Sequence, residues 1–177
     1  MTGTESFLSG RAAELRRAFD QSFAEAIQVN TSETIDFISI RLAGDLHAIR
    51  MTELAGLFAD VKITPCPSPV AELRGIAGFR GTLTPVYDLA ALLGYPMSSG
   101  RWIVLTKGGG LALALDEFHG HFRVEPAALA SQQGSSATQH VREIARQADQ
   151  ALPVIDIPSV VAAIKARAAA ASSHKEH

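Results

Sequence analysis

The chain has 177 residues, of which 47% are hydrophobic and 19% are charged, and its formal net charge is −2 at pH 7. This length suits one domain with extensions and allows a core without covalent staples. The balanced charge argues against a nucleic-acid-binding domain, and the single cysteine excludes an internal disulfide and favours a reducing, cytoplasmic location.

Residues 1–33 are predicted to form a helical extension, with the helix itself over residues 5–29. Apolar side chains recur there at spacings of three and four, as on one face of an amphipathic helix. The expected contact face carries Leu8, Leu15, Phe19 and Phe23. Charged residues interrupt the segment early, so neither a signal peptide nor direct membrane insertion is expected. The contact face must bury against the chain's own core, a second copy or a partner.

From residue 34 to about residue 124, short apolar stretches alternate with Gly and Pro, a pattern typical of many short strands. Two short helical segments are predicted among them, at 52–58 and at 88–93, the second capped by Asp88. Pro85 indicates an edge strand or a bulge, because proline has no N–H to donate to a neighbouring strand. The predicted strands cover residues 38–42, 46–51, 61–64, 75–79, 82–87, 102–107, 111–116 and 118–124.

The C-terminal part begins with a predicted flexible loop over residues 125–140, which are rich in Ala, Ser and Gln. A last pair of strands follows at 141–145 and 151–157, and Pro158 opens a helix to residue 169. Residues 169–177 are predicted to be a disordered tail. Many short strands with little helix among them predict small β-barrels rather than a parallel sheet.

The sequence offers little of the chemistry that an enzyme or a metal site needs. His119 and His121 share one face of a strand, but no ligand spacing of carboxylates or cysteines accompanies them, so solvent-facing strand residues are favoured. Cys66 has no second cysteine and is interpreted as a half-buried side chain among prolines. His47 is expected on the exposed face of its strand. No cofactor, metal or catalytic residue is predicted.

The most informative segment runs from Gly75 to Gly94. It contains an Arg80-Gly81 turn, then an apolar-x-Pro-apolar-x-Asp-Leu strand, and a short helix that ends in glycine. This order resembles the signature of the CheW-like chemotaxis adaptor family, and the similarity extends from about Thr34 to Ala166.

The resemblance implies two small five-stranded SH3-like barrels sharing one chain over residues 34–168. It implies a non-enzymatic adaptor that couples methyl-accepting chemoreceptors to the histidine kinase CheA, without nucleic acid. Arg80 matches the arginine that the family places where partners bind. The expected partner-binding residues are Arg80, Gly81, Phe79, Leu54, Gly56 and Leu83.

One position departs from the family. Many members carry an acidic residue in a Val-x-Glu-Ile-like pattern after the second strand, and the alignment places Leu54 at the apolar position and Gly56 at the acid, with Glu53 three residues earlier. A specialised protein that binds receptors without recruiting the kinase is therefore an alternative. A small enzyme with a pocket formed by His119, His121 and Asp116 is a remote one.

Overall fold

A computed structural model describes residues 33–108, 110–131, 140–147 and 149–173. The predicted N-terminal helix and its contact face of Leu8, Leu15, Phe19 and Phe23 lie outside these residues. From Thr34 onward the chain forms one unit with its own core.

Eleven strands and two α-helices make up the described part of this unit. The strands are β1 (Ile35–Leu42), β2 (Asp45–Arg50), β3 (Leu54–Ala59), β4 (Leu73–Phe79), β5 (Thr82–Asp88), β6 (Trp102–Thr106), β7 (Ala112–Leu115), β8 (Glu117–Val124), β9 (Leu129–Ser131), β10 (Val141–Gln147) and β11 (Gln150–Ile155). The helices are α1 (Leu89–Leu92) and α2 (Ile157–Ser173), and two 3-10 turns cover Met51–Glu53 and Pro126–Ala128.

The strands form two mixed sheets. One has six strands in the order β8-β1-β2-β11-β10-β9, and the other has five in the order β3-β6-β7-β5-β4. The pairs β2/β11 and β5/β7 are parallel, and the remaining pairs are antiparallel. The chain therefore forms β1 and β2 of the six-stranded sheet first, then all five strands of the other sheet, and finally β8 to β11 of the six-stranded sheet.

The core consists of three apolar clusters. One lies on the six-stranded sheet around Phe37 and Phe122, and one on the five-stranded sheet around Phe79 and Ile103. The largest draws residues from both sheets and includes the inner face of α2. That face consists of Ile157, Val160 and Ile164, each at most 2% exposed. The C-terminal helix is thus an integral part of the junction between the sheets.

The mainly β fold is confirmed, whereas the two five-stranded barrels are not. The first sheet has a sixth strand, β9, inside the segment predicted as a loop. Among the described strands, no pairing joins the two edges of either sheet. The five-stranded sheet does curl, because Thr64 beyond β3 exchanges backbone hydrogen bonds with Ile76 of β4.

The predicted helical segment at 52–58 is wrong for most of its length. Only its first residues belong to the 3-10 turn, and from Leu54 the chain pairs with β6 as strand β3. A bulge between Leu54 and Gly56 changes the alternation of the strand. Apolar residues spaced by three and four in so short a run therefore match a bulged strand as well as a helix.

Three smaller predictions also need correction. The strand at 61–64 is reduced to a single bridge at Thr64. Helix α2 continues to Ser173, four residues past its predicted end. Of the two alternatives for Pro85, the edge strand is wrong, since β5 lies between β7 and β4, but β4 has a bulge between Leu73 and Gly75, next to the residue opposite the proline. The proline is accommodated because Ile76 opposite directs its backbone bonds to Thr64, and pairing with β7 starts only at Val86.

Candidate partner-binding site

The turn between β4 and β5 carries the most prominent candidate residue. Phe79 pairs with Thr82, which leaves Arg80 and Gly81 as a two-residue turn. Their φ angles are 49° and 84°, and positive φ at both central residues is the requirement of a type I′ hairpin turn. The Arg80 side chain is exposed and has no hydrogen bond or ion pair within the described part of the chain.

Arginine is a costly choice at this place in a turn. The left-handed region costs an ordinary L-residue roughly 1–2 kcal/mol, and Asn, Asp or Gly usually occupies it. The turn between β1 and β2 has the same form, with Ala43 at φ 51° and Gly44 at φ 96°. Arg80 therefore keeps an exposed guanidinium at some expense of stability, which is a pattern found at functional positions.

Leu83 extends this surface with exposed apolar area. Leu83 is 74% exposed, more than any other large apolar residue in the described part of the chain. The residue opposite on β4 is Gly78, and a side chain added there would meet open space. No side chain on β4 therefore covers the surface directly opposite Leu83, which leaves room there for a partner's side chain. We define Arg80, Gly81, Leu83 and Gly78 as the hairpin surface.

The other predicted contact residues lie elsewhere. Phe79 is 4% exposed, and its ring centroid lies 5.0 Å from that of Phe58, so it supports the turn from within the core. Leu54 and Gly56 are half-buried on β3, at the opposite end of the strand order from β4. The structure thus places Arg80, Gly81 and Leu83 on one hairpin, and Leu54 and Gly56 on another strand of the same sheet.

The acidic residue expected after the second strand is better matched by Glu53 than by position 56. Glu53 lies in the 3-10 turn that follows β2 directly, and Met51-Thr52-Glu53-Leu54 itself has the order apolar-x-Glu-apolar. Its carboxylate Oε2 accepts a hydrogen bond of 3.1 Å from the N–H of Ile157, at the start of α2. Burial raises the pKa of this carboxyl group.

The Asp of the sequence signature has a structural role. Asp88 is fully buried and caps α1 by accepting from the N–H of Ala91. It also accepts hydrogen bonds from Ser98 and pairs with Arg74 at 3.2 Å. Gly75 nearby has a φ of 143°, and a Cβ on it would lie 2.1 Å from the carbonyl oxygen of Thr64. These signature residues hold the β4–β5 hairpin in place.

His119 and His121 line one surface cavity, and Asp116 is not among its lining residues. His119 and His121 are exposed on β8, as predicted, and His121 contacts Asp36 at 2.8 Å. Asp116 instead accepts hydrogen bonds from the backbone of Ala43 and Ser99, so it does not complete the suggested pocket. Within the described ranges, no group of three or more His, Cys, Asp or Glu residues is arranged to hold a metal ion.

His47 is buried, contrary to the prediction of an exposed residue. It is 3% exposed, its ring meets Tyr95 edge-on at 5.8 Å, and its Nδ1 lies 3.2 Å from the carbonyl oxygen of Asp45. The reason is that β2 is an interior strand, with Ala48 in one apolar cluster and Ile49 in another. Burial lowers the pKa of His47.

Comparison with known proteins agrees with the geometry of the fold. A family model described as a CheW-like domain matches residues 36–165. The chain belongs to the CheW-like family. Its members are scaffolds or adaptors of chemotaxis signalling. The match to the family model confirms the resemblance noted from the Arg80-Gly81 segment.

Among solved structures, the chain is similar to the crystal structure of the scaffolding protein TtCheW from Thermoanaerobacter tengcongensis. The two share 22% sequence identity with a TM-score of 0.63, over 68% of this chain and 88% of the other. At this identity the similarity supports the CheW-like fold. No curated protein matches the sequence.

Proposed function

We propose that this CheW-like protein couples methyl-accepting chemoreceptors to the regulatory domain of the histidine kinase CheA in the cytoplasm, and that it does so without catalysis. The hairpin surface is the observation that carries the proposal. It combines an unpaired guanidinium, an exposed leucine and uncovered backbone at Gly78 on two hydrogen-bonded strands. An arginine of this kind can donate up to five hydrogen bonds to carboxylates or carbonyl groups of a partner.

The rigidity of the hairpin supports this role. Strands β4 and β5 are paired from Gly75 to Phe79 without a break, and Phe79 and Val86 anchor them in the core. A partner would therefore find Arg80 and Leu83 held in position before binding, which lowers the entropy lost on association. Arginine is also among the residues that most often dominate binding energy at protein interfaces.

A receptor-binding protein that does not recruit the kinase is a second candidate. The observation in its favour concerns Glu53, whose carboxylate is half-buried and occupied by the N–H of Ile157. An acid engaged in this way is less available to a partner than a free one.

Binding measured separately against the two partners distinguishes these candidates. The purified chain would be titrated by calorimetry with a receptor signalling domain and with the CheA regulatory domain, both from the same cell. Coupling requires that both bind and that a three-component complex elutes together in size-exclusion chromatography. Binding of the receptor alone would favour the second candidate, and binding of neither would contradict the proposal.

Within the described residues, no helix has both the length and the apolar character needed to cross a membrane.

A further inference from the structure

A cleft that shares no lining residue with the hairpin surface lies beside the start of β2. Its volume is about 430 Å³, near the lower end of the range for small-molecule sites. Asp45, Leu46 and His47 of β2 line it, together with residues 150–153 of β11 and Tyr95 of the loop after α1. We call this feature the β2 cleft.

The aromatic wall of the cleft is held in place by the end of α1. Gly94 follows the helix at a φ of 86°, the left-handed conformation in which glycine commonly ends a helix. The N–H of Tyr95 then donates to the carbonyl oxygen of Ala90 at 2.9 Å. The Tyr95 ring, which meets His47 edge-on, is therefore positioned before any ligand binds.

The buried ring of His47 offers a hydrogen-bond acceptor to the cleft. Its Nδ1 lies 3.2 Å from the carbonyl oxygen of Asp45. Because a carbonyl oxygen only accepts, Nδ1 carries the hydrogen and Nε2 of the neutral ring keeps a free lone pair. In the described part of the chain, every fully buried side-chain nitrogen or oxygen has a hydrogen-bond partner. Nε2 has none there, so it is accessible from the cleft that the ring lines.

The charge of the cleft favours a cationic ligand. Asp45 is exposed at the rim, and no lysine or arginine is found among the described lining residues. Burial raises the pKa of the Tyr95 phenol, and the Asp45 carboxylate beside it raises that pKa further. The guanidinium of Arg41, opposite Leu46, is engaged by the carbonyl oxygen of Gly44 at 2.8 Å and by Glu117 at 3.4 Å.

The remaining walls define the shape of the ligand. Leu46, Ala151 and Pro153 offer apolar surface to an aliphatic chain. A guanidinium suits the polar end, because its planar group binds a carboxylate with two hydrogen bonds and stacks on an aromatic ring. A free amino acid is disfavoured, since no basic side chain among the described lining residues can receive its carboxylate.

We infer that the β2 cleft binds an aliphatic guanidinium, which donates hydrogen bonds to the Asp45 carboxylate and to Nε2 of His47 and lies against the Tyr95 ring. The cation is either a free small molecule or an arginine side chain of a protein. This inference goes beyond the proposed coupling and does not depend on it.

Butylguanidinium and butylurea, its uncharged isostere, test the inference on the full-length chain. Titrations followed in ¹⁵N spectra should show that butylguanidinium binds at least about tenfold more tightly, because only the cation forms charge-assisted hydrogen bonds. The amide signals of Asp45, His47 and Ala151 should shift during the titration.

A blocked tripeptide with a central arginine distinguishes the two sources of the cation. Affinity equal to or above that of butylguanidinium assigns the cleft to an arginine side chain of a protein. Weaker binding of the tripeptide assigns it to a free small molecule.

Substitutions at the two exposed sides of the cleft supply the decisive variants. Asp45→Asn should lower the affinity for butylguanidinium about tenfold and remove the preference over butylurea. Tyr95→Leu should lower it about threefold, since the cation loses its aromatic contact. Asp60→Asn, at another exposed aspartate, is the matched control and should bind as the parent does. Because Asp45 is exposed, its variant keeps the test valid even if Tyr95→Leu does not fold.

Several results would overturn the inference: equal affinity for the two probes, no saturation below about 20 mM butylguanidinium, a preference that survives Asp45→Asn, or shifts confined to residues outside the cleft. Arg80→Ala should bind butylguanidinium as the parent does. A failure here would therefore leave the proposed coupling untouched, and a failure of coupling would leave this test valid.

Discussion

At the scale of single residues, the backbone conformation of Arg80 costs stability, whereas its exposed side chain is proposed to bind partners. Its φ of 49° suits asparagine better than arginine. We expect Arg80→Asn to raise the free energy of unfolding by about 1 kcal/mol, because the strain of the left-handed conformation is relieved. Urea unfolding at pH 7 measures the change.

Ala43 provides a matched control for this variant, because it occupies the same position in the turn between β1 and β2 at a φ of 51°. Ala43→Asn should stabilise the chain by a similar amount. A loss of stability in Arg80→Asn alongside a gain in Ala43→Asn would mean that Arg80 contributes to the fold through contacts of its own.

The buried His47 predicts how stability depends on pH. Burial lowers its pKa in the folded chain, whereas the unfolded chain titrates near the ordinary value of 6.5. Below that pH the unfolded state binds a proton that the folded state does not, so the free energy of unfolding should fall as the pH is lowered. Burial lowers the pKa of His140 as well, and it should act in the same direction.

Urea midpoints measured from pH 8 to pH 5 test this prediction. His47→Gln should flatten the pH dependence, whatever its effect on overall stability. An unchanged slope in His47→Gln would show that His47 does not contribute to the loss of stability in acid.

At the scale of secondary-structure elements, Glu53 holds the start of α2. Glu53→Ala should lower the free energy of unfolding by about 1 kcal/mol, since the N–H of Ile157 loses its acceptor. Glu53→Gln should be at least as stable as the parent at pH 7, because the amide oxygen still accepts and no charge is buried.

The pH dependence of Glu53 follows from its raised pKa. Its carboxyl group favours the folded state most below about pH 4.5, and the contribution is lost as the pH rises through the folded pKa.

Glu125→Ala, at an exposed glutamate, is the control for Glu53→Ala and should change the free energy of unfolding by less than about 0.5 kcal/mol. Equal losses in Glu53→Ala and Glu53→Gln would indicate that the charge itself is required.

Most of the elements could be predicted from the sequence, and the exceptions have physical reasons. The hairpin around Arg80 and the cap at Asp88 were predictable because turn and capping residues act locally. Strand β3 was not, since its pairing partner lies almost fifty residues further along the chain and its bulge disguises the alternation. His47 was misplaced because only the tertiary packing, which puts Ala48 and Ile49 in different core clusters, shows that β2 is covered on both faces.

The candidate site could be predicted only in part, because local motifs identify neighbours in sequence but not residues from distant segments. Arg80, Gly81 and Leu83 are neighbours in sequence, so one motif identifies all three. Gly78 joins them only through the strand register, in which it lies opposite Leu83. Surfaces assembled from distant segments leave no pattern in a single stretch of sequence.

At the scale of the whole molecule, the described core starts after the predicted N-terminal helix. Within the described residues, three apolar clusters contain buried side chains of both sheets and of α2. We expect that deletion of residues 1–29 leaves a cooperative unfolding transition, because the sheets supply their own buried surface. Circular dichroism during thermal unfolding measures this. A broad, non-cooperative transition would mean that the N-terminal segment belongs to the core.

The central claim is that the hairpin surface binds partners, and the affinity of Arg80→Ala for the receptor domain and the CheA domain tests it most directly. Loss of an arginine anchor should weaken binding to at least one of them by about thirtyfold, equivalent to about 2 kcal/mol. The urea midpoint should stay near that of the parent, since the side chain is exposed. Parental affinity for both partners in a folded Arg80→Ala protein would contradict the account.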